Sequence, residues 1–167
     1  MPDKKLNYFY ETAPVAYQSL DINGCLIDVN PAWLKTLGYD RDEVLGKSFG
    51  DFLPEPCIEQ FKSQFPKFKT VGEIMDGEFE LLKKDGSRIS VRFDGQIEKD
   101  ESGSFVQTHC IFSNITPLKQ SETLLRHTFD AIPDLLTVHD RDLRVVLSNW
   151  HGHEFVTPEK RDRKPFC

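Results

Sequence analysis

Between residues 30 and 46 the chain starts a helix, stops it, starts another and stops again. Asn30 offers an acceptor oxygen to the first free helical N–H groups. Pro31 then occupies the first helical position, where its missing N–H costs nothing. Ala32, Trp33, Leu34 and Leu37 form one apolar side, and Gly38 suits a left-handed stop. Asp40 opens the second helix with Glu43 at its third position, a variant of the capping box. Val44 and Leu45 are candidates for burial, and Gly46 ends the run. Helices this short predict a wall closing over something rather than a bundle. A generic helix–turn–helix connection is the other arrangement they allow.

The 167 residues, 38% hydrophobic and 29% charged, suit one soluble globular domain plus a remainder. A net charge of -6, with basic residues scattered among acidic ones, gives nucleic acid or a membrane surface no electrostatic footprint. No apolar run approaches the roughly 20 residues that span a bilayer. The opening Met-Pro-Asp-Lys-Lys lacks the apolar core of a signal peptide, so a cytoplasmic location is expected. Cys25, Cys57, Cys110 and Cys167 lie far apart, which indicates free thiols rather than a zinc site or redox dithiol.

Along the chain, an amphipathic lead-in with Leu6, Phe9 and Tyr10 precedes a strand at 15–20. Asp21-Ile22-Asn23-Gly24 is a hairpin turn, and 25–29 is the returning strand. A brief helix at 48–53 carries Ser48 and Asp51 at capping-box spacing. Pro54 and Pro56 interrupt the chain. A longer helix from Ile58 aligns Phe61, Phe65 and Phe68, and Pro66 is expected to break it. Residues 77–83 alternate with Phe79 and Leu81 on one side. After the turn Lys84-Asp85-Gly86, residues 87–98 set Ile89, Val91, Phe93 and Ile97 against Ser90, Arg92, Asp94 and Gln96. The last strand, 104–115, is apolar on both parities. Phe105, Ile111 and Ile115 share a face with Gln107 and His109; Val106, Cys110 and Phe112 share the other. Its outer face is therefore expected to be covered. Thr116-Pro117 starts a polar helix through Leu118, Leu125, Phe129 and Ile132. The fold class is α+β: a five-stranded antiparallel sheet with short helices on one face, followed by a connector helix.

The chain also resembles itself at an offset of 119. Ala13-Pro14-Val15 falls on Ile132-Pro133-Asp134, Asp21 on Asp140, Leu26 on Val145 and Asn30 on Asn149. The expected domains are a complete unit at 1–117, a connector helix at 118–131 and the truncated start of a second unit at 132–167. A fragment of a longer tandem array is the expectation.

These residues resemble the PAS family of sensory modules. The marks are the hairpin ending in Asn30, Asn30-x-Ala32, Gly38-Tyr39, Leu45-Gly46-Lys47, Lys84-Asp85-Gly86 and Asn114-Ile115-Thr116. The resemblance covers about residues 6–118 and, truncated, from about 126 onward. It implies a PAS fold, a sheet cupped by short helices with a ligand pocket between them, and output through the helix after the last strand. Many members carry Asp-Ile-Thr where this chain has Asn114-Ile115-Thr116, which trades the charge for hydrogen bonding alone. The resemblance points away from cysteinyl flavin, because Pro54-Glu55-Pro56-Cys57-Ile58-Glu59 does not match that subgroup. It also points away from haem, because no His lies between Asn30 and Thr108. The cofactor is otherwise unknown.

Catalytic and metal motifs are missing, and His151-Gly-His153 reads as exposed rather than ligating. The expected pocket lining is Trp33, Phe52, Phe61, Phe79, Phe93, His109 and Ile111, suited to a small apolar or aromatic ligand; a filled core without ligand is the competing arrangement. Signal relay falls to Asn114, Ile115 and Thr116. A homodimer would use Val106, Cys110 and Phe112 with the helices near Leu6–Tyr10 and Leu118–Leu125. The implied role is non-catalytic: a signal-relay module feeding an effector on the same polypeptide, a histidine kinase. The alternatives are a purely structural dimerisation module, or the regulatory end of a diguanylate cyclase or transcriptional regulator.

Overall fold

The computed structural model describes residues 3–134 and 136–149. His151, His153 and Cys167, and the side chain of Leu6, lie outside the described residues. The chain divides between Thr116 and Pro117 into two units. Among the described residues no helix is long and apolar enough to cross a membrane.

The first unit runs α1 (Asp3–Thr12), β1 (Ala16–Leu20), β2 (Leu26–Val29), α2 (Pro31–Leu37), α3 (Arg41–Val44), a 3-10 turn (Phe49–Phe52), α4 (Glu55–Val71), β3 (Glu73–Leu82), β4 (Arg88–Lys99) and β5 (Phe105–Asn114). The strands form one antiparallel sheet in the order β2-β1-β5-β4-β3. The first and last strands of the unit therefore pair with each other, and the helical crossover from β2 to β3 joins the two edges of the sheet.

Local chemistry explains the short helices. Asn30 is fully buried, and its Oδ1 accepts the Trp33 N–H at 3.0 Å and the Tyr17 N–H at 2.9 Å. Its Nδ2 donates to the Val15 carbonyl at 2.9 Å, so one side chain both caps α2 and ties it to β1. Gly38 (φ 80°) ends α2, its N–H bonded to the Leu34 carbonyl. Glu43 accepts the Asp40 N–H at 2.9 Å and opens α3. Arg41 holds α3 against the Val29 carbonyl and the Asp28 carboxylate.

Two sequence expectations are corrected here. Pro54 and Pro56 begin α4 rather than interrupting the chain: Pro54 is its N-cap and Pro56 sits in its first turn. Pro66 does not break that helix, which continues to Val71. The hydrogen bond that Pro66 forfeits belongs to the Lys62 carbonyl. Both residues are exposed, so water can satisfy the freed oxygen.

A further correction concerns β5. Cys110 and Phe112 are buried against the core, so they are not an outward interaction face; His109 and Ile111 point the other way and are exposed. Register decides this. Phe93 lies opposite Phe112 and Gly95 opposite Cys110, and residues directly opposite share a face. The inward alternation of Ile89, Val91 and Phe93 thus carries Phe112 and Cys110 inside with it. Tyr10 of α1 stands edge-on to Tyr17 at 5.4 Å, on the outer side that Tyr17 shares with Ile111.

The second unit contains α5 (Thr116–Asp130), β6 (Thr137–His139) and β7 (Val145–Ser148). Its hairpin repeats the first one bond for bond at the offset of 119. Gln18 pairs with Val29, and Thr137 pairs with Ser148. Asp21 Oδ1 accepts from the N–H groups of Asn23 and Cys25; Asp140 Oδ1 accepts from those of Asp142 and Arg144. Asn30 takes the Tyr17 N–H and donates to Val15, while Asn149 takes the Leu136 N–H at 2.7 Å and donates to Asp134 at 2.8 Å. Leu143 (φ 61°) even holds the left-handed place of Gly24 (φ 80°), a strained position for a branched side chain.

Candidate functional site

A cavity of about 50 Å³ lies between the inner sheet face and α4. Gln18 of β1, Phe79 of β3 and Phe93 of β4 face it from the sheet. Phe49 of the 3-10 turn and Phe61 and Phe65 of α4 close it. The rings meet edge to face: Phe49 lies 5.2 Å from Phe61 and 5.7 Å from Phe93, and Phe79 lies 5.7 Å from Phe93. This geometry suits their quadrupoles and fixes the walls. Gly24 (φ 80°) lets Phe61 approach: a Cβ there would stand 3.0 Å from its ring. The volume is far below the roughly 300 Å³ at which pockets for drug-sized ligands begin.

The cavity includes three of the sequence candidates, Phe61, Phe79 and Phe93. Trp33 and Phe52 pack beside it instead, edge-on to each other at 5.6 Å and both against Tyr39. His109 and Ile111, expected in the pocket, lie on the outer sheet face. There the Glu98 carboxylate can only accept, so His109 Nε2 donates to it at 2.9 Å. His109 Nδ1 then accepts the Tyr17 hydroxyl at 2.7 Å. The His109 hydrogen bond, with help from Gln107, holds the Glu98 carboxyl below its ordinary value. Sequence reasoning missed Gln18, Phe49 and Phe65. Gln18 had a signal: it lies between Ala16 and Leu20 on the buried parity of β1, a polar residue where an apolar one is the rule.

Cys110 also lines the cavity. Its thiol fits because Gly95 lies opposite; a Cβ there would come within 2.5 Å of the sulfur. Burial pushes the Cys110 thiol up to about 11, so little thiolate exists near neutral pH. In the native protein at pH 8, Ellman's reagent should therefore modify the half-buried Cys25 and Cys57 well before Cys110. Mass mapping of early adducts checks this, and early labelling of Cys110 would contradict its burial.

The strand-to-helix junction is bonded to β4 at one residue. Ser90 N–H donates to Thr116 Oγ1 at 2.8 Å, and Ile115 N–H donates to the Ser90 carbonyl at 2.9 Å. Asn114 Oδ1 accepts the Thr116 N–H at 2.9 Å, and Ile115 is 7% exposed. Among the described residues, no group of three His, Cys, Asp or Glu side chains is arranged to hold a metal.

Comparison with known proteins follows this geometry. A family model described as PAS domain matches residues 14–117. A curated relative, an uncharacterised protein of Sinorhizobium fredii, is 25% identical over 135 residues; the match covers 77% of this chain and 16% of that protein. The solved PAS domain of an HTR-like protein from Haloarcula marismortui is 27% identical, covers 68% of this chain and 92% of its own, and superposes with a TM-score of 0.60. A domain of a sensory box sensor histidine kinase/response regulator from Geobacter sulfurreducens is 20% identical, with coverage of 66% and 92% and a TM-score of 0.55. With a family model spanning the whole of its five-stranded sheet, this chain belongs to the PAS domain family.

Proposed function

We propose that this chain is the sensory and signal-relay part of a multidomain, cytoplasmic signal-transduction protein, non-catalytic itself, whose effector is a histidine kinase. The observation that carries the relay is the junction at Asn114, Ile115 and Thr116. Three hydrogen bonds and one buried side chain set where β5 ends and α5 begins, and two of those bonds run to Ser90 of β4. Phe93 of the same strand lines the cavity. A ligand that shifts β4 can therefore bias the junction, which supplies the two-state element that a relay needs. The kinase setting of the Geobacter sulfurreducens neighbour supports the choice of effector.

The test is Asn114→Ala in the full-length protein. It removes the side-chain cap on Thr116 N–H, worth about 1 kcal/mol. That is enough to change a two-state ratio about fivefold while leaving the domain folded. Autophosphorylation is expected to shift by a comparable factor, and Ile115→Asp to abolish regulation altogether. Unchanged output from folded Asn114→Ala would remove the junction from the pathway.

One observation favours a second role, homodimerisation. Tyr8 and Phe9 of α1 are 71% and 73% exposed, and Val106 and Ile111 of β5 are 44% and 45% exposed. Sedimentation of the chain and of Phe9→Glu decides it: a dimer that the charge disrupts supports a paired sensor.

A further inference from the structure

We propose that the cavity recognises a small uncharged molecule of two to four heavy atoms bearing a hydrogen-bond acceptor, an alcohol, aldehyde or ketone, which the side-chain amide of Gln18 holds. This deepens the sensing role above and rests on it.

The carboxamide of Gln18 is 2% exposed, and its orientation is settled by its neighbour. Trp33 Nε1–H can only donate, and it lies 2.8 Å from Gln18 Oε1. The oxygen therefore faces Trp33, and the NH2 group is the free end. Trp33 cannot yield, because it is wholly buried and its backbone N–H is held by Asn30. Among the described residues the Gln18 NH2 group has no hydrogen-bond acceptor, although Gln18 lines the cavity. The nitrogen is not sealed off by packed protein: it borders the space of the cavity, where a ligand oxygen can take its hydrogen bond.

The rest of the lining says what the ligand is not. Among the described residues, no Asp, Glu, Lys, Arg or His lines the cavity, so a charged ligand would lose its hydration without a counter-ion. Water can enter, with the Gln18 and Gln64 amides and the Cys110 thiol to receive it among apolar rings, so an oxygen on a hydrocarbon body competes by burying its apolar part. The volume sets the size. At about 50 Å³ the cavity exceeds the roughly 10–15 Å³ that admits one water several times over and falls well short of the ~150 Å³ that takes benzene. An oxygen on a short hydrocarbon body satisfies donor, rings and volume together. Entry has a route. Phe61 and Phe65 also line a surface groove with Asn23 and Ser48, so groove and cavity adjoin at these two rings.

The 167-residue chain can be titrated with ethanol and with chloroethane, two probes of three heavy atoms, while the glutamine side-chain amides are followed by NMR. The Gln18 signal is assigned through its proximity to the Trp33 indole proton, so no variant is needed for the assignment. A ligand of this size binds no tighter than about 0.5 mM, so millimolar dissociation constants are expected. Ethanol should move the Gln18 NH2 protons downfield and chloroethane should not. Gln18→Met should weaken ethanol about tenfold and leave chloroethane within about twofold. If both probes bind and the Gln18 amide does not respond to ethanol, the cavity is merely apolar. The proposal then fails while the sensing role stands. If neither probe binds, and xenon gas leaves the surrounding methyl signals unmoved, the cavity admits nothing and ligand sensing fails with it.

Discussion

Asn30→Ala is expected to lower the unfolding free energy by about 3–7 kcal/mol. The side chain serves three backbone groups at once: the Tyr17 N–H, the Trp33 N–H and the Val15 carbonyl. Loss of the helix cap costs about 1 kcal/mol. Tyr17 N–H and the Val15 carbonyl then lose a partner beside a residue that is 0% exposed, at roughly 1–3 kcal/mol each. A domain of this size has only about 5–15 kcal/mol to lose. Asn30→Asp separates the contributions. It keeps the acceptor for both N–H groups and loses only the donor to Val15, so it should fall between wild type and alanine even with its burial cost. Urea denaturation of all three proteins checks the order. Equal midpoints would mean that the α2–β1 tie is not a principal restraint.

That tie was half legible in the sequence. The Asn30-Pro31 start and the Gly38 stop are local signals, because caps and left-handed turns depend on a few adjacent residues. Nothing local says that the same carboxamide also reaches Val15 and Tyr17. The repeat aligns Asn30 with Asn149, but only the structure shows that Asn149 makes the matching bonds to Asp134 and Leu136. The faces of β5 were not legible. Val106, Cys110 and Phe112 are as apolar as Phe105 and Ile111, and a one-residue change of parity inverts every assignment. Only the pairing of Phe93 with Phe112 resolves it, and pairing is a long-range fact. Pro66 misled for a related reason. An interior proline forfeits a hydrogen bond and crowds the carbonyl four residues back, and the exposure of Lys62 that lets water reach that carbonyl could not be read from its neighbours.

The candidate site shows the same division. Phe61, Phe79 and Phe93 were found because apolar residues on alternating or helical positions face inward by rule. Trp33, on the apolar side of its short helix, was expected in the lining too; it packs behind it, against Phe52 and Tyr39. That position makes Trp33→Ala the second large effect. The ring is wholly buried, edge-on to Phe52, and its N–H holds Gln18. Truncation leaves a cavity costing about 3–5 kcal/mol and strands the Gln18 oxygen besides, so the variant should lie near or below the threshold of folding. Trp33→Phe keeps most ring contacts and loses only the N–H, for an expected cost of about 1–3 kcal/mol. Far-UV circular dichroism in urea measures both without relying on indole fluorescence. Trp33→Phe also frees the Gln18 carboxamide to turn, so either its oxygen or its nitrogen can face the cavity. Ethanol, which can donate as well as accept, should still bind this variant. Acetone, which can only accept, should lose affinity relative to wild type, because half of the Gln18 orientations no longer offer a donor. Undiminished acetone affinity in folded Trp33→Phe would show that Trp33 does not set the orientation of Gln18.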